Sequence, residues 1–593
     1  MLFQLNSKSL NIFKNCKMEK YRNILILTIL LISMPAFSIF GQKPVIKREI
    51  TLYNPYKPSL PDVTKKSFLP DMTDTFRIKT EFKYEIKTSR YTPTYAISPL
   101  KPATMVPDPL NKLYNSFIKL GFGSHVTPTA ELSITNLRSK KGAIGFYAGH
   151  FSANGKVKLE NQKKVFAGYM DNNASLYGRK FFSESVLDGS IDFSQNTRYA
   201  YGYDTLFSDY NPSKKDIKLN YYSFGANIGL NSVKTDSTEL AYNVKLNYNY
   251  FTSHKDFYQN NIRLDGIASK EWKGFYVGSG LEFDLYKPSG IVSNSSRYLV
   301  SLMPFVKKNS NEWDVKLGAD ILLDRNLNDN AKLRIYPDLR FAFNIIPASL
   351  GFFTELNGKL EKNTAGEIIN INPYIIPGDI LYKIRGTSYP LIVKAGFSGE
   401  TGIEGYYRLF ASYSISDNLV LFSNYFFRNF LTPDSIPIYI GNYFLPLYDD
   451  TEIFNLHGEM AGKIGSRLNF YTEANYFKYT LTNNQSAWGR PDWDAEFTIK
   501  YNLRDKILAS ITANAIGKRK MLQTVNSVEF RVINDKVINM PAHINFNLEA
   551  EYRYTKILSF WMRLNNISFS RYYEWAWYPS YRFIFQAGFT YSL

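Results

Sequence analysis

The chain has 593 residues, a formal net charge of +19, 16% aromatic residues including 45 Tyr and 44 Phe, and one cysteine. Its mean hydropathy is slightly negative, which argues against a bundle of membrane-spanning helices but not against a strand-built membrane protein, where only alternate residues are apolar. The single cysteine, Cys16, excludes a disulfide framework and a cysteine metal site. The Lys and Arg residues form no compact patch, so the basic balance does not point to nucleic acid.

In chain order, the first element is an address. Met18-Glu-Lys-Tyr-Arg-Asn precedes an apolar run from Ile24, and Ala36-x-Ser38 or Gly41-Gln42 supplies a small-residue cleavage site. This predicts a secretory signal peptide over residues 1–41 with its true start at Met18; an uncleaved anchor helix is the alternative. Residues 42–112 are proline-rich, and Leu60-Pro61-Asp62-Val63 is echoed by Leu69-Pro70-Asp71-Met72. Proline removes ladder donors, so this leader is not a membrane strand. It is expected in the periplasm, or folded back as a plug in a barrel mouth, or simply disordered.

From about Ser116 the pattern changes to period two. Tyr242, Val244, Leu246, Tyr248 and Tyr250 alternate with Asn243, Lys245, Asn247 and Asn249; similar alternations run through 313–321, 467–476 and 492–501. Successive strand side chains point to opposite faces, so each segment has one apolar and one polar face. The predicted fold is all-β: a large transmembrane antiparallel β-barrel over residues 113–593, with a large soluble all-β protein as the rival. About 20 strands are expected, an even number between about 16 and 22. Short connections at 503–506 and 554–556 belong on the periplasmic side; residues 362–390 and 432–451 are the external-loop candidates. A barrel this wide holds either a channel or a plug.

The alternation is cleanest at the C-terminus. Ile544, Phe546, Leu548, Ala550, Tyr552 and Tyr554 alternate with His543, Asn545, Asn547, Glu549, Glu551 and Arg553. The second set is the candidate lumen lining, either binding solute or only hydrating the pore. Tyr572, Tyr573, Trp575, Trp577 and Tyr578 join the last two strands as an interfacial aromatic belt or a loop that touches a sugar or lipid.

Chemistry-bearing motifs are sparse. The five histidines, His125, His150, His254, His457 and His543, show no metal-ligand spacing, and no nucleophile elbow, P-loop or dinucleotide fingerprint occurs. No cofactor, metal or catalytic residue is therefore assigned, and an enzyme is not expected. A barrel enzyme would instead have to assemble a Ser/His/Asp cluster across strands at one rim.

Leu564-Asn565-Asn566-Ile567, Arg571-Tyr572-Tyr573, Trp577-Tyr578-Pro579, Tyr581-Arg582 and the closing strand 583–593 resemble the C-terminal end of TonB-dependent receptor barrels. With the leader Leu52-Tyr-Asn-Pro-Tyr-Lys-Pro, the chain also resembles such outer-membrane proteins of Bacteroidota. The resemblance implies a transporter or channel passing a solute across the outer membrane of a Gram-negative bacterium. It implies lipid and lipopolysaccharide as surroundings and the barrel-assembly machinery as inserter. TonB or another periplasmic or outer-membrane subunit is the implied partner, with Glu49, Ile50, Thr51, Leu52 and Tyr53 similar to the TonB-pairing segment. The departure is the leader, which is much shorter than that family's plug domain. The second reading follows from it: a structural or assembly subunit that docks a periplasmic partner through the leader.

Overall fold

The computed structural model describes residues 116–593 apart from 137–140, 203–211, 234–238, 254–256, 290–295, 326–329, 376–383, 403, 430–437 and 528–531. The signal peptide, the leader and Glu49–Tyr53 lie outside the described residues. Antiparallel pairing of each strand with the next builds a closed barrel of 22 strands, the upper end of the expected range. The ring closes where the first strand, Ser116–Gly123, pairs with the last, Ile584–Ser592, from Phe117↔Ser592 to Gly123↔Gln586. Closure leaves no unpaired edge for lipid to desolvate.

The seam has a packing reason for two glycines. Gly121 faces Gly588 in register, and the indole of Trp561, on the adjacent strand Leu558–Asn565, lies over both. A Cβ on Gly121 would fall 2.2 Å from that ring, and one on Gly588 would fall 1.9 Å from the Leu120 carbonyl. The bare backbone lets the ring cover the joint, and Trp561 is almost fully buried there.

Alternation separates the two faces as the sequence pattern predicts. Along His543–Arg553, Ile544, Phe546 and Tyr552 are exposed while Asn545, Asn547, Glu549 and Glu551 are half-buried on the other face. Ile144 and Phe146, Leu176, Ile191 and Ile228 repeat this on other strands. Those exposed stripes form the lipid-facing surface. Among the described residues no helix is long and apolar enough to cross a membrane.

The two rims differ. At the rim where the chain ends, turns are tight: Lys273-Gly274 joins Tyr258–Trp272 to Phe275–Ser289, and Arg504 and Asp505, at φ of 52° and 54°, turn the chain into Ile507–Ile516. The opposite rim carries the long connections: of the expected loop 362–390, residues 362–375 and 384–386 lie there, 376–383 fall outside the described residues, and 387–390 instead begin the strand Thr387–Thr401. The expectation for 432–451 is corrected in part. Residues 438–451 belong to the 27-residue strand Ile438–Ile464, which pairs with the 25-residue strand Gly405–Asn429. This ribbon rises above its neighbour, whose pairing starts only at Thr451↔Leu481. Pro446 therefore has a strand on one side only, where a missing donor is tolerated.

Candidate functional site at the loop-side mouth

The long connections fold inward over the mouth. The described helix there, Ala365–Ile371, starts at a capping box: Glu367 N–H donates to Thr364 Oγ1 (3.3 Å) and Thr364 N–H to Glu367 Oε2 (2.7 Å). Its first amides are aimed at the barrel wall. Gly366 N–H donates to Gln259 Oε1 (3.2 Å) and Ala365 N–H to the Tyr286 hydroxyl (3.4 Å). Just before the helix, Lys362 pairs with Asp284 and with Glu282 (3.1 Å). The Lys362 carbonyl accepts from Arg297 (2.5 Å), whose Nε is held by Asp324 (3.1 Å). A seven-residue helix is too short to persist alone, so these anchors fix it. Thr364→Ala should weaken it by about 1 kcal/mol, read as faster proteolysis within residues 362–386 while the barrel's heat-resistant mobility on gels is unchanged.

Behind the helix the cap has an apolar core. Tyr374 stacks on Tyr578 at 3.7 Å between ring centroids, and Tyr201 meets Tyr578 at 5.1 Å. Trp575 packs against Phe422 (5.2 Å) and Phe444 (5.3 Å). Val157 and Val165, from the hairpin Lys156–Lys158/Lys164–Phe166, enter the same core, as do Met521 and Met540. The last two belong to the hairpin Arg519–Ser527/Val532–Met540, which reaches across to pair in parallel with Gly405–Asn429. Arg519 ties it to the final loop, donating to the carbonyls of Tyr573 (2.5 Å) and Glu574 (2.9 Å). Burial pushes the Tyr374 and Tyr578 hydroxyls up and the Arg519 guanidinium down from their ordinary values. Both tyrosines stay neutral, so the stack carries no charge at physiological pH.

All five aromatic residues singled out at 572–578 are therefore cap residues. Tyr578 is 0% exposed and Trp575 sits in the core beside it. Tyr572 stacks on His543 at 4.4 Å, Tyr573 donates to Glu160, and Trp577 packs on the core's edge. His543, Asn545, Asn547, Glu549, Glu551 and Arg553 share the face turned away from exposed Ile544 and Phe546. They engage neighbours on that face: Glu549 accepts from Arg563 (2.9 Å), Asn547 Oδ1 from Asn566 N–H (3.1 Å), and Glu551 lies 3.7 Å from Arg553.

Between the helix and the wall lies a cavity of about 320 Å³. Ser194, Asn196, Ser223, Asn249 and Asn261 line it from the strands Ser185–Tyr199, Lys218–Ser232, Ala241–Ser253 and Tyr258–Trp272. Glu367 and Asn370 line it from the helix, and among the described residues no Lys or Arg does. The carboxylate of Glu367 is engaged by the capping amide. Asn261 Oδ1 is buried without a protein partner, which leaves an acceptor open to a bound donor. The wall is thus mainly amides, hydroxyls and aromatic rings, with the one carboxylate of Glu367 engaged by the helix cap. Sequence reasoning missed this chamber, although Asn247 and Asn249 stood in a recognised alternation and Thr364-Ala-Gly-Glu367 spells the capping box. Among the described residues, no three His, Cys, Asp or Glu side chains gather as a metal site.

No protein-family model and no curated protein matches the sequence. Solved structures do match the fold. The FrpB iron transporter from Neisseria meningitidis aligns with a TM-score of 0.61 at 9% identity, over 82% of this chain and 82% of that one. The pyoverdine outer membrane receptor FpvA from Pseudomonas aeruginosa PAO1 aligns at 0.59 and 11%, over 81% and 78%. The ferric-catecholate import receptor Fiu from E. coli K12 aligns at 0.58 and 8%, over 81% and 82%. The chain is a closed 22-strand antiparallel β-barrel. Its fold is similar to that of these outer-membrane receptors and transporters.

Proposed function

We propose that this protein is an outer-membrane transporter of the TonB-dependent type that admits a neutral solute rich in hydroxyl and amide groups, a saccharide by its chemistry. The observation that carries the reading is the chamber under the cap, lined mainly by amides and hydroxyls with no Lys or Arg among the described residues, whose open Asn261 acceptor lacks a protein partner among them. The polar stripe from His543 to Arg553 then forms part of the path below. The leader, residues 42–112, takes the place of a plug, and Glu49, Ile50, Thr51, Leu52 and Tyr53 meet TonB in the periplasm. Lipid and lipopolysaccharide surround the outward apolar stripes, and the barrel-assembly machinery inserts the chain.

The test is uptake of radiolabelled neutral oligosaccharides by cells carrying this protein. Asn261→Leu should reduce uptake by about 5- to 150-fold, since a buried amide partner is worth about 1–3 kcal/mol, and removal of residues 49–53 should abolish it. Uptake that rises linearly with concentration and ignores both changes would mark a diffusion pore instead.

A further inference from the structure

The outer face of the wall carries a group of residues that transport does not use. On Gly142–Ala153, His150 and Ser152 share the face of Ile144 and Phe146. Ile144 is 60% exposed, so that face is the lipid-facing one. On the neighbouring strand, Tyr169–Phe181, Asn172 lies opposite His150 in register and shares its face with exposed Leu176. His150 Nδ1 is 2.6 Å from Asn172 Oδ1, and His150 Nε2 is 3.2 Å from Ser152 Oγ. Asn172 in turn donates through Nδ2 to Gln195 Oε1 (3.0 Å), on the next strand but on the same face.

The chain of donors fixes the tautomer. Because Asn172 gives its N–H group to Gln195, its Oδ1 faces His150 and can only accept, so Nδ1 carries the proton. Nε2 is left with a free lone pair beside the Ser152 hydroxyl. That is the nucleophile, base and orienting group of an acyl hydrolase, with an amide in the third place. His457 and Asn475 form a similar 2.8 Å contact on another strand pair, but there the neighbours are Glu459 and Glu473, and no hydroxyl hydrogen-bonds His457 among the described residues. The serine distinguishes the His150 group.

Its position defines the substrate class. His150 stands four residues beyond Phe146 towards the loop side, a rise of about 13 Å, where the exposed apolar stripe gives way to polar side chains. Ala148 and Ala174, paired in register beneath it, leave a shallow trough on the lipid face. Past Ser152 the chain enters a cavity of about 250 Å³ lined by His125, Lys156, Lys158, Lys164, Arg571 and Arg582. Lys158 and Lys164 are direct cross-strand partners, a like-charge pairing that is unfavourable by itself. Neither they, Lys156 nor Arg582 has an acidic partner among the described residues, while Arg571 pairs with Glu160 (3.1 Å) through Nη2 and keeps a buried Nε without an acceptor. An anion in the cavity would relieve the repulsion.

We propose that Ser152, His150 and Asn172 form an acyl-ester hydrolase site on the outer wall, acting on a glycerophospholipid of the outer leaflet whose phosphate sits in the cationic cavity. Ser152 Oγ attacks the acyl carbonyl while His150 Nε2 takes its proton. The lysolipid oxygen leaves as the C–O bond breaks, protonated by the same imidazolium. Water, deprotonated by His150, then attacks the acyl-serine, releases the fatty acid and restores the hydroxyl. Asn172 and Gln195 are positioning residues. Ser152 is 5% exposed, flanked in register by Met170, a flexible side chain that can move aside for the ester.

The experiment uses the full chain folded in detergent micelles, checked for heat-resistant gel mobility. A fluorophosphonate probe should label the wild type, with labelling lost in Ser152→Ala and reduced at least 100-fold in His150→Gln. Asn172→Ala should lower kcat for phosphatidylglycerol hydrolysis with KM little changed, and Asn172→Asp should restore it. Lys156→Gln/Lys158→Gln/Lys164→Gln should raise KM for phosphatidylglycerol about tenfold relative to KM for neutral monooleoylglycerol. Wild type that labels no faster than Ser152→Ala overturns the catalytic assignment. Turnover of a soluble p-nitrophenyl ester without phospholipid turnover overturns the lipid substrate, and an unchanged KM in the triple variant overturns the phosphate site. None of these outcomes depends on solute uptake.

Discussion

Tyr578→Ala should open the mouth of the barrel. Tyr578 is fully buried where the cap elements meet: its ring stacks on Tyr374, touches Tyr201, and approaches Phe444 at 6.1 Å. Those rings come from three separate connections and one strand, so removing the ring unlinks them rather than denting one element. A buried aromatic cut to alanine costs about 3–5 kcal/mol, and here the loss falls on the cap, since the barrel's strand ladders do not pass through it. A local opening made easier by about 3 kcal/mol is more than 100-fold more populated, at about 1.4 kcal/mol per tenfold. The readout is a reporter cysteine in the chamber, Ser223→Cys, with the native Cys16 replaced. A membrane-impermeant maleimide added to intact cells should label it slowly in the closed cap and at least tenfold faster with Tyr578→Ala. Equal rates would show that the cap does not control access. Faster labelling with lost heat-resistant mobility would place the damage in the barrel instead.

The barrel was legible because its cause is local. One residue in two must face lipid, so Ile544, Phe546 and Tyr552 repeat where the eye can find them, and closure follows from strand number and the terminal pairing. The cap was not legible because its contacts join residues hundreds of positions apart and obey no period. Val157, Tyr374 and Tyr578 share one core, yet nothing in the sequence ties these three segments together. Tyr572, Tyr573, Trp575, Trp577 and Tyr578 look the same on paper whether they meet lipid or each other; only the inward fold of the loop decides. The ribbon at 438–451 was masked by Pro446, whose penalty vanishes once one edge of the strand is free. His-x-Ser at 150–152 was visible as two polar residues on an apolar face. Its meaning needed Asn172 from the adjacent strand, and strand register is not written in spacing.

The second large effect is expected at the stem of the cap helix. Arg297 is 3% exposed, and its guanidinium holds two things together: the carboxylate of Asp324 at 3.1 Å, and the carbonyl of Lys362, from which the helix departs. Asp324→Asn keeps the shape and removes the countercharge. It leaves a dry cation whose NH2 already lacks an acceptor. Breaking a buried pair from one side costs about 3–5 kcal/mol, because the remaining charge is uncompensated, whereas replacing both partners with apolar groups is often neutral. The single variant should therefore release residues 362–386, seen as rapid trypsin cleavage after Lys362, and lower the thermal midpoint of the detergent-folded protein. Arg297→Met/Asp324→Leu should recover much of the midpoint while leaving the Lys362 carbonyl without its donor, so cleavage stays intermediate. This ordering separates the two jobs of Arg297, since charge balance governs the midpoint and the Lys362 hydrogen bond governs the stem. A single variant as stable and as protease-resistant as wild type, or a double variant worse than the single, would mean that solvent reaches the pair and that the helix is held by Lys362 and its two carboxylates alone.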